Sequence, residues 1–306
     1  MEWWRLDPAV ARQLLDECTS YLMRLADYSR RAIRVAADVY AFRELWGRDP
    51  PTPSEFYATK YSPEGWGYTV LATFAKMIIA YRSIDKLENL GIVIDGKRGV
   101  GKTTYAVNAL YTVCMEISRL SGAEVDCRRE VLRNTFWYLD EALARLGELS
   151  EVGGWVPFVV LDDVGVHGSK YWFLSRRKRI RMISFFELVD MLKDVVGLVI
   201  MTTPYVEKMA RTLREIADYH ARIEQIVEGG RVVNRVKWSR IVSRDSTRRA
   251  RSVRRWIYVE WLPPDVRMLE SVWSRMMEVR KEVLREKIEE FLRGGEEEDA
   301  GPEGGS

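Results

Sequence analysis

Gly91-Ile92-Val93-Ile94-Asp95-Gly96-Lys97-Arg98-Gly99-Val100-Gly101-Lys102-Thr103-Thr104 is the stretch whose reading decides the fold. An apolar run of strand type, Ile92 to Ile94, enters a glycine-rich turn, and a helix-compatible run from Thr104 to Leu110 leaves it. Between them Gly96-x-x-x-x-Gly101-Lys102-Thr103 meets the phosphate-binding loop pattern at every fixed position. Glycines let the backbone wrap until its N–H groups converge on a β-phosphate, and the positive end of the next helix faces the anion. Gly96, Lys97, Arg98, Gly99, Val100, Gly101, Lys102, Thr103 and Thr104 are therefore the expected nucleotide-binding set. Lys102 is expected to reach the β- and γ-phosphate oxygens, and the Thr103 hydroxyl to ligate Mg²⁺. The bland alternative is a glycine-rich turn that binds nothing, and the strand–loop–helix setting argues against it.

Working outward, the helix after the loop is expected to run to about Leu120 and stop at Ser121-Gly122. Thr135 to Tyr138 is of strand type and precedes a helix through Leu143 and Leu146. Val156-Pro157-Phe158-Val159-Val160-Leu161-Asp162-Asp163 is a continuous apolar run ending in two acids. Buried parallel strands have this composition, and their C-terminal edge is where open α/β sheets bind ligands. Asp162 is the expected partner of Mg²⁺ through water, and Asp163 the candidate base for the attacking water. A further buried strand, Val195 to Met201, ends in Thr202-Thr203-Pro204. Thr202 and Thr203 are both candidates to sense the γ-phosphate or hold the lytic water, and the sequence does not choose between them. Beyond it, Lys208, Arg211, Arg214 and Arg222 fall in a stretch read as helical, with Arg214 first choice for the cation that stabilises the transferred phosphoryl group.

Positive charge is segregated. One basic run is Ser175 to Arg181; the other spans Arg231 to Arg255 and carries Arg235, Lys237, Arg240, Arg244, Arg248, Arg249, Arg251, Arg254 and Arg255. Val232–Trp238 and Val253–Trp261 alternate with period two and read as a β-hairpin whose basic loop is Ser243 to Ser252. Arginines on such a ribbon suit a phosphate backbone, with tryptophans available to stack, so nucleic acid, DNA first, is the expected partner. A hairpin balanced by acidic neighbours is the competing reading.

The expected organisation is an N-terminal helical segment (1–50), a linker and helix leading into the core (51–88), an α/β core (89–228), the hairpin (229–262), an amphipathic helix (263–293) and an acidic tail (294–306). The last helix carries the stripe Val266, Leu269, Val272, Trp273, Met276, Val283, Ile288 and Leu292, expected to dock on the core or on another copy. Lys+Arg number 48 against 45 Asp+Glu, a net +3 that hides the segregation. The first residues lack a basic start and apolar centre, and the longest apolar stretch is broken by Lys76, so neither a signal peptide nor a membrane span is expected. Cys18, Cys114 and Cys127 form no CxxC pair, and with His167 and His220 they make no metal site. They read as buried thiols in a reducing cytoplasm. Gln13 and Gln225 are the only glutamines in a chain with 30% charged residues, a bias that fits a thermophilic source.

The loop Gly96–Thr103, the block Leu161-Asp162-Asp163-Val164-Gly165-Val166-His167 and the strand Ile200-Met201-Thr202-Thr203-Pro204 together resemble the ATPase core of AAA+ proteins of the initiator and helicase-loader type. In look they are nearest to the small phosphate-loop ATPases of archaeal viruses, plasmids and integrated elements. The likeness covers about Leu90 to Ile223. It implies an ASCE-type parallel sheet with one strand between the phosphate-loop strand and the acidic strand, ATP and Mg²⁺ as ligands, and subunits that meet at the nucleotide. The position usually held by a catalytic Glu is Asp163 here, and no helix-turn-helix tail of the initiator kind is found.

The expectation is thus an α/β phosphate-loop ATPase that uses Mg-ATP to act on nucleic acid of a mobile element. The rivals are an ATP-gated protein-interaction switch with the same core and a small-molecule kinase whose lid the Arg176–Arg181 run would imitate. A GTPase would want an Asn/Thr-Lys-x-Asp motif, which the chain lacks.

Overall fold

The computed structural model describes residues 2–37, 69–164, 194–206, 209, 217–228, 231–242, 253–262 and helical residues between 270 and 288. In chain order these form α1 (Pro8–Ala37), α2 (Val70–Ser83), β1 (Leu90–Asp95), α3 (Lys102–Ser121), α4 (Cys127–Arg133), β2 (Thr135–Phe136), α5 (Leu139–Glu151), β3 (Val156–Leu161), β4 (Val196–Thr203), β5 (Tyr219–Glu228), β6 (Arg231–Val242) and β7 (Val253–Leu262). The strands make one seven-stranded sheet in the order β2-β3-β4-β1-β5-β6-β7. From β2 to β5 neighbours run parallel, and β5-β6-β7 are antiparallel. As the resemblance implied, one strand, β4, lies between β1 and β3.

The parallel centre explains its own composition. β3 and β4 are buried along their whole length because helices cover both faces, so they read as unbroken apolar runs. Alternate residues serve opposite cores. Ile92, Ile94, Phe158, Val160, Leu198 and Ile200 pack with α1, α2 and α3, whereas Val93, Val159, Val199 and Met201 pack with Ala142, Leu146 and Leu149 of α5. The parallel registers Ile94↔Thr202, Asp95↔Thr203 and Leu161↔Met201 bring the C-terminal ends of β1, β3 and β4 to one edge.

A buried carboxylate ties the antiparallel strands to the helices. Glu260 on β7 accepts from the Val70 N–H at the start of α2 (2.9 Å), from the Tyr105 hydroxyl on α3 (2.5 Å) and from Trp238 Nε1 on β6 (2.7 Å). Burial pushes its carboxyl above the usual range, and the three donors oppose that shift. Burial likewise raises the Tyr105 hydroxyl, with the Glu260 charge adding to it.

Several expectations are corrected. Arg222 lies on strand β5, not on a helix: the stretch pairs with β1 on one side and β6 on the other. The hairpin is present, but β6 also pairs with β5, so both strands continue the main sheet. Trp238 is fully buried and bonded to Glu260, so it offers no face for stacking. Cys114 and Cys127 are not thiols but a disulfide joining α3 to the first residue of α4, with Cα atoms 5.6 Å apart. Cys18 is a buried free cysteine whose thiol burial pushes up to about 12. The basic run Ser175–Arg181, Lys208, Arg211, Arg214 and the Ser243–Ser252 loop lie outside the described residues. Among the described residues no helix is long and apolar enough to cross a membrane, and no His/Cys/Asp/Glu group of metal-binding kind is found.

Candidate nucleotide site

The loop after β1 is shaped by its glycines. At Gly96 (φ 152°) a Cβ would stand 2.4 Å from the Ile223 carbonyl oxygen of β5, a distance no side chain accepts. Gly101 takes the left-handed conformation (φ 87°) and caps α3, whose first turn closes with Tyr105 N–H donating to Gly101 O at 2.8 Å. Lys102 Nζ donates to the carbonyls of Gly96 (2.9 Å) and Lys97 (3.0 Å), so the ammonium lies folded over its own loop. Val100 is buried and fixes the loop to the core.

The acids and hydroxyls meet at the facing edge. Asp162 follows β3 and is buried; its Oδ1 accepts from Thr103 Oγ1 and from Thr202 Oγ1, each at 2.6 Å. Its Oδ2 is buried and has no hydrogen-bond partner among the described residues. The Asp163 N–H donates to Thr202 Oγ1 at 2.9 Å, and Asp163 holds φ 53°, a conformation uncommon outside glycine and concentrated at functional sites. The geometry separates the two threonines. Thr202 bridges both acids, whereas Thr203 Oγ1 donates to Tyr205 O and accepts from Tyr205 N–H, serving a local turn.

These groups line one cavity of about 470 Å³. Arg98, Gly99, Gly101, Lys102, Thr103 and Thr104 form its loop side; Asp162, Asp163, Thr202 and Pro204 form the sheet edge. Trp273 and Met276, from the helical residues 272–279, complete it. Gly96 and Lys97 contribute carbonyls that hold Lys102, and Thr203 does not line the cavity.

Two features escaped the sequence. Beneath the loop, Asp95 Oδ1 stands 2.8 Å from His220 Nε2 of β5, both side chains buried, so the residue before Gly96 is braced across the sheet. The position of Asp95 directly before the loop was the available signal; nothing in the sequence marked His220. The other feature is Trp273, which the helical stripe placed on the packing face.

On the basic strands the picture is divided. Glu224 of β5 pairs with Arg235 (3.0 Å) and Lys237 (2.8 Å) across the β5–β6 ladder. Burial raises the Glu224 carboxyl, but the hydrogen bonds from Lys237 and Arg235 outweigh it and hold the pKa below its ordinary value. Arg240 is exposed on β6. Arg254 and Arg255 lie on β7, and Arg244, Arg248, Arg249 and Arg251 lie outside the described residues.

No family model matches the chain. Uncharacterized protein B-251 of Sulfolobus spindle-shape virus 1 is 32% identical over 125 residues, which is 40% of this chain and 46% of that protein. The chain thus spans about half the length of the curated relative it matches. Among solved structures, a KaiC-like protein of the hyperthermophilic archaeon Pyrococcus horikoshii gives a TM-score of 0.34 at 15% identity, over 57% of this chain and 90% of that one. The N-terminal domain of zonular occludens toxin from Neisseria meningitidis gives 0.34 at 12%, over 61% and 98%. Flagellar accessory protein FlaH of Methanocaldococcus jannaschii gives 0.28 at 14%, over 50% and 79%. None of these is named as an initiator or helicase loader, and at TM-scores this low none lends the chain an activity. The glycine-rich loop between β1 and α3, the acids after β3 and the strand order β3-β4-β1 give the chain a phosphate-loop NTPase fold.

Proposed function

We propose that the chain is a Mg²⁺-dependent ATPase whose turnover is coupled to nucleic acid, DNA first, in the service of a mobile element. The observation that carries the ATPase reading is Asp162, with one carboxylate oxygen held by the hydroxyls of Thr103 and Thr202 and the other buried and unbonded among the described residues. A buried carboxylate oxygen beside a loop hydroxyl fits a hard cation held partly through water. Thr103 and Asp162 would hold Mg²⁺, which when bound supplies charge neutralisation on the phosphate oxygens. Lys102 exchanges its bonds to the Gly96 and Lys97 carbonyls for phosphate oxygens, and the loop N–H groups bind the remainder. Asp163 takes the proton of the attacking water, and Thr202 fixes Asp163 by accepting from its backbone N–H. Arg214 is proposed as the transition-state cation, supplied by a neighbouring copy in a homo-oligomer that meets at the nucleotide.

The coupling to nucleic acid rests on the basic run through Arg240 and the Arg244–Arg255 segment. Pairing of Arg235 and Lys237 with Glu224 favours the second reading, an ATP-gated switch whose partner is a protein. One experiment separates them: ATP hydrolysis with and without DNA for wild type, Lys102→Ala and a variant with the arginines of 244–255 neutralised. Stimulation that needs both features supports the coupled ATPase. Hydrolysis abolished by Lys102→Ala yet indifferent to DNA and to the loop moves the choice to the protein switch.

A further inference from the structure

The nucleotide cavity has a chemically divided wall. The loop and sheet edge supply Lys102, Asp162 and the hydroxyls of Thr103 and Thr202; the helical residues 272–279 supply the indole of Trp273 and Met276. Val272, Met276 and Val279 are buried in the main core, at 0%, 2% and 1% exposure, so this helical segment is anchored. Trp273 stands apart from them at 48% exposure. Single exposed apolar side chains are ordinary on a protein surface. This one differs because it lines the same cavity as the phosphate-binding lysine and is the sole aromatic among the described residues lining it.

We propose that Trp273 is the stacking platform for the nucleobase, which makes residues 272–279 part of the nucleotide site. This rests on the nucleotide-binding reading of the phosphate loop. A triphosphate on the loop leaves the base to find an apolar partner, and a rigid indole face supplies one with little ordering of its own. Stacking reads a π-face rather than base edges, so the platform contributes affinity without choosing strongly among purines.

The test uses the full chain and titrates Mg-ATP and Mg-tripolyphosphate by calorimetry, with thermal unfolding as a check on folding. Trp273→Ala and Trp273→Leu are expected to weaken ATP roughly 5- to 100-fold, as loss of one stacked base does, and leave tripolyphosphate within about 2-fold. Trp273→Phe is expected to recover most of the loss. Equal weakening of both ligands, unchanged ATP binding in Trp273→Ala, or a Leu variant that binds as tightly as Phe overturns the platform. Wild type that binds neither ligand overturns the phosphate-loop reading beneath it, an outcome distinct from these. Because Val272, Met276 and Val279 anchor the segment, the Leu and Phe variants keep the comparison interpretable if the Ala variant unfolds.

Discussion

Replacing Thr202 by valine tests the site at its most connected atom. Valine keeps the branched shape but removes a hydroxyl that donates to Asp162 Oδ1 at 2.6 Å and accepts from Asp163 N–H at 2.9 Å. Asp162 retains the Thr103 hydroxyl, so the carboxylate loses one of its two donors among the described residues. The Asp163 N–H loses its acceptor beside a buried strand end, and leaving such a group unmade costs about 1–3 kcal/mol of folding stability. The catalytic effect is expected to be larger than the binding effect. Lys102 and the loop N–H groups still hold the phosphates, so the Kd for Mg-ATP should change less than about 5-fold. Asp163 is no longer held at its left-handed φ, and misplacing a base or stabilising group costs about 10²-fold in turnover. Single-turnover hydrolysis with bound ATP in excess of its Kd reads this directly. Thr203→Val is the matched control: among the described residues its hydroxyl serves only Tyr205, and turnover should stay within about 3-fold of wild type. Equal loss in the two variants, or full turnover in Thr202→Val, would refute the assignment.

Glu260→Gln supplies one acceptor oxygen where three donors converge, so at least one buried donor is orphaned and denaturant unfolding should show a loss of about 1–3 kcal/mol. Because the Glu260 pKa is raised on folding, the native state holds more protons than the unfolded chain between the ordinary and the raised pKa. The contribution of this group is therefore full below the ordinary carboxylate pKa and declines as pH rises through the folded value; the Glu260→Gln variant should lack that slope, and an identical pH profile would contradict it. The Cys114–Cys127 bridge closes a loop with a sequence separation of 13, so Cys114→Ser with Cys127→Ser should cost about 3 kcal/mol in unfolding, and a reductant that leaves wild-type stability unchanged would count against it. Glu224→Gln releases Arg235 and Lys237 from their partner; if the β6 face meets DNA, log Kd against log salt should steepen by about 1–2 units, and an unchanged slope would remove these residues from the interface.

What the chain disclosed in advance follows from how local each cause is. The phosphate loop was legible because its chemistry is written at fixed spacing, and β3 and β4 because strands buried on both faces are continuous apolar runs. β5 was not, since Tyr219 to Glu228 mixes His220, Arg222, Glu224 and Gln225 with only intermittent apolar residues, and its stability as a strand comes from β1 and β6 on either side. The choice between Thr202 and Thr203 illustrates the limit. Adjacent strand residues face opposite ways, so one must turn from the site, yet which one depends on a register, Ile94↔Thr202 and Asp95↔Thr203, set by residues far away in the chain. The tryptophans show the same limit with opposite results. Trp238 lies on a ribbon that reads as nucleic-acid-facing and is held in the core by Glu260, while Trp273 lies on a stripe that reads as core-facing and lines the nucleotide cavity. Pattern told which residues are apolar; only the long-range pairings decide whether an indole fills the interior or is left to meet a ligand.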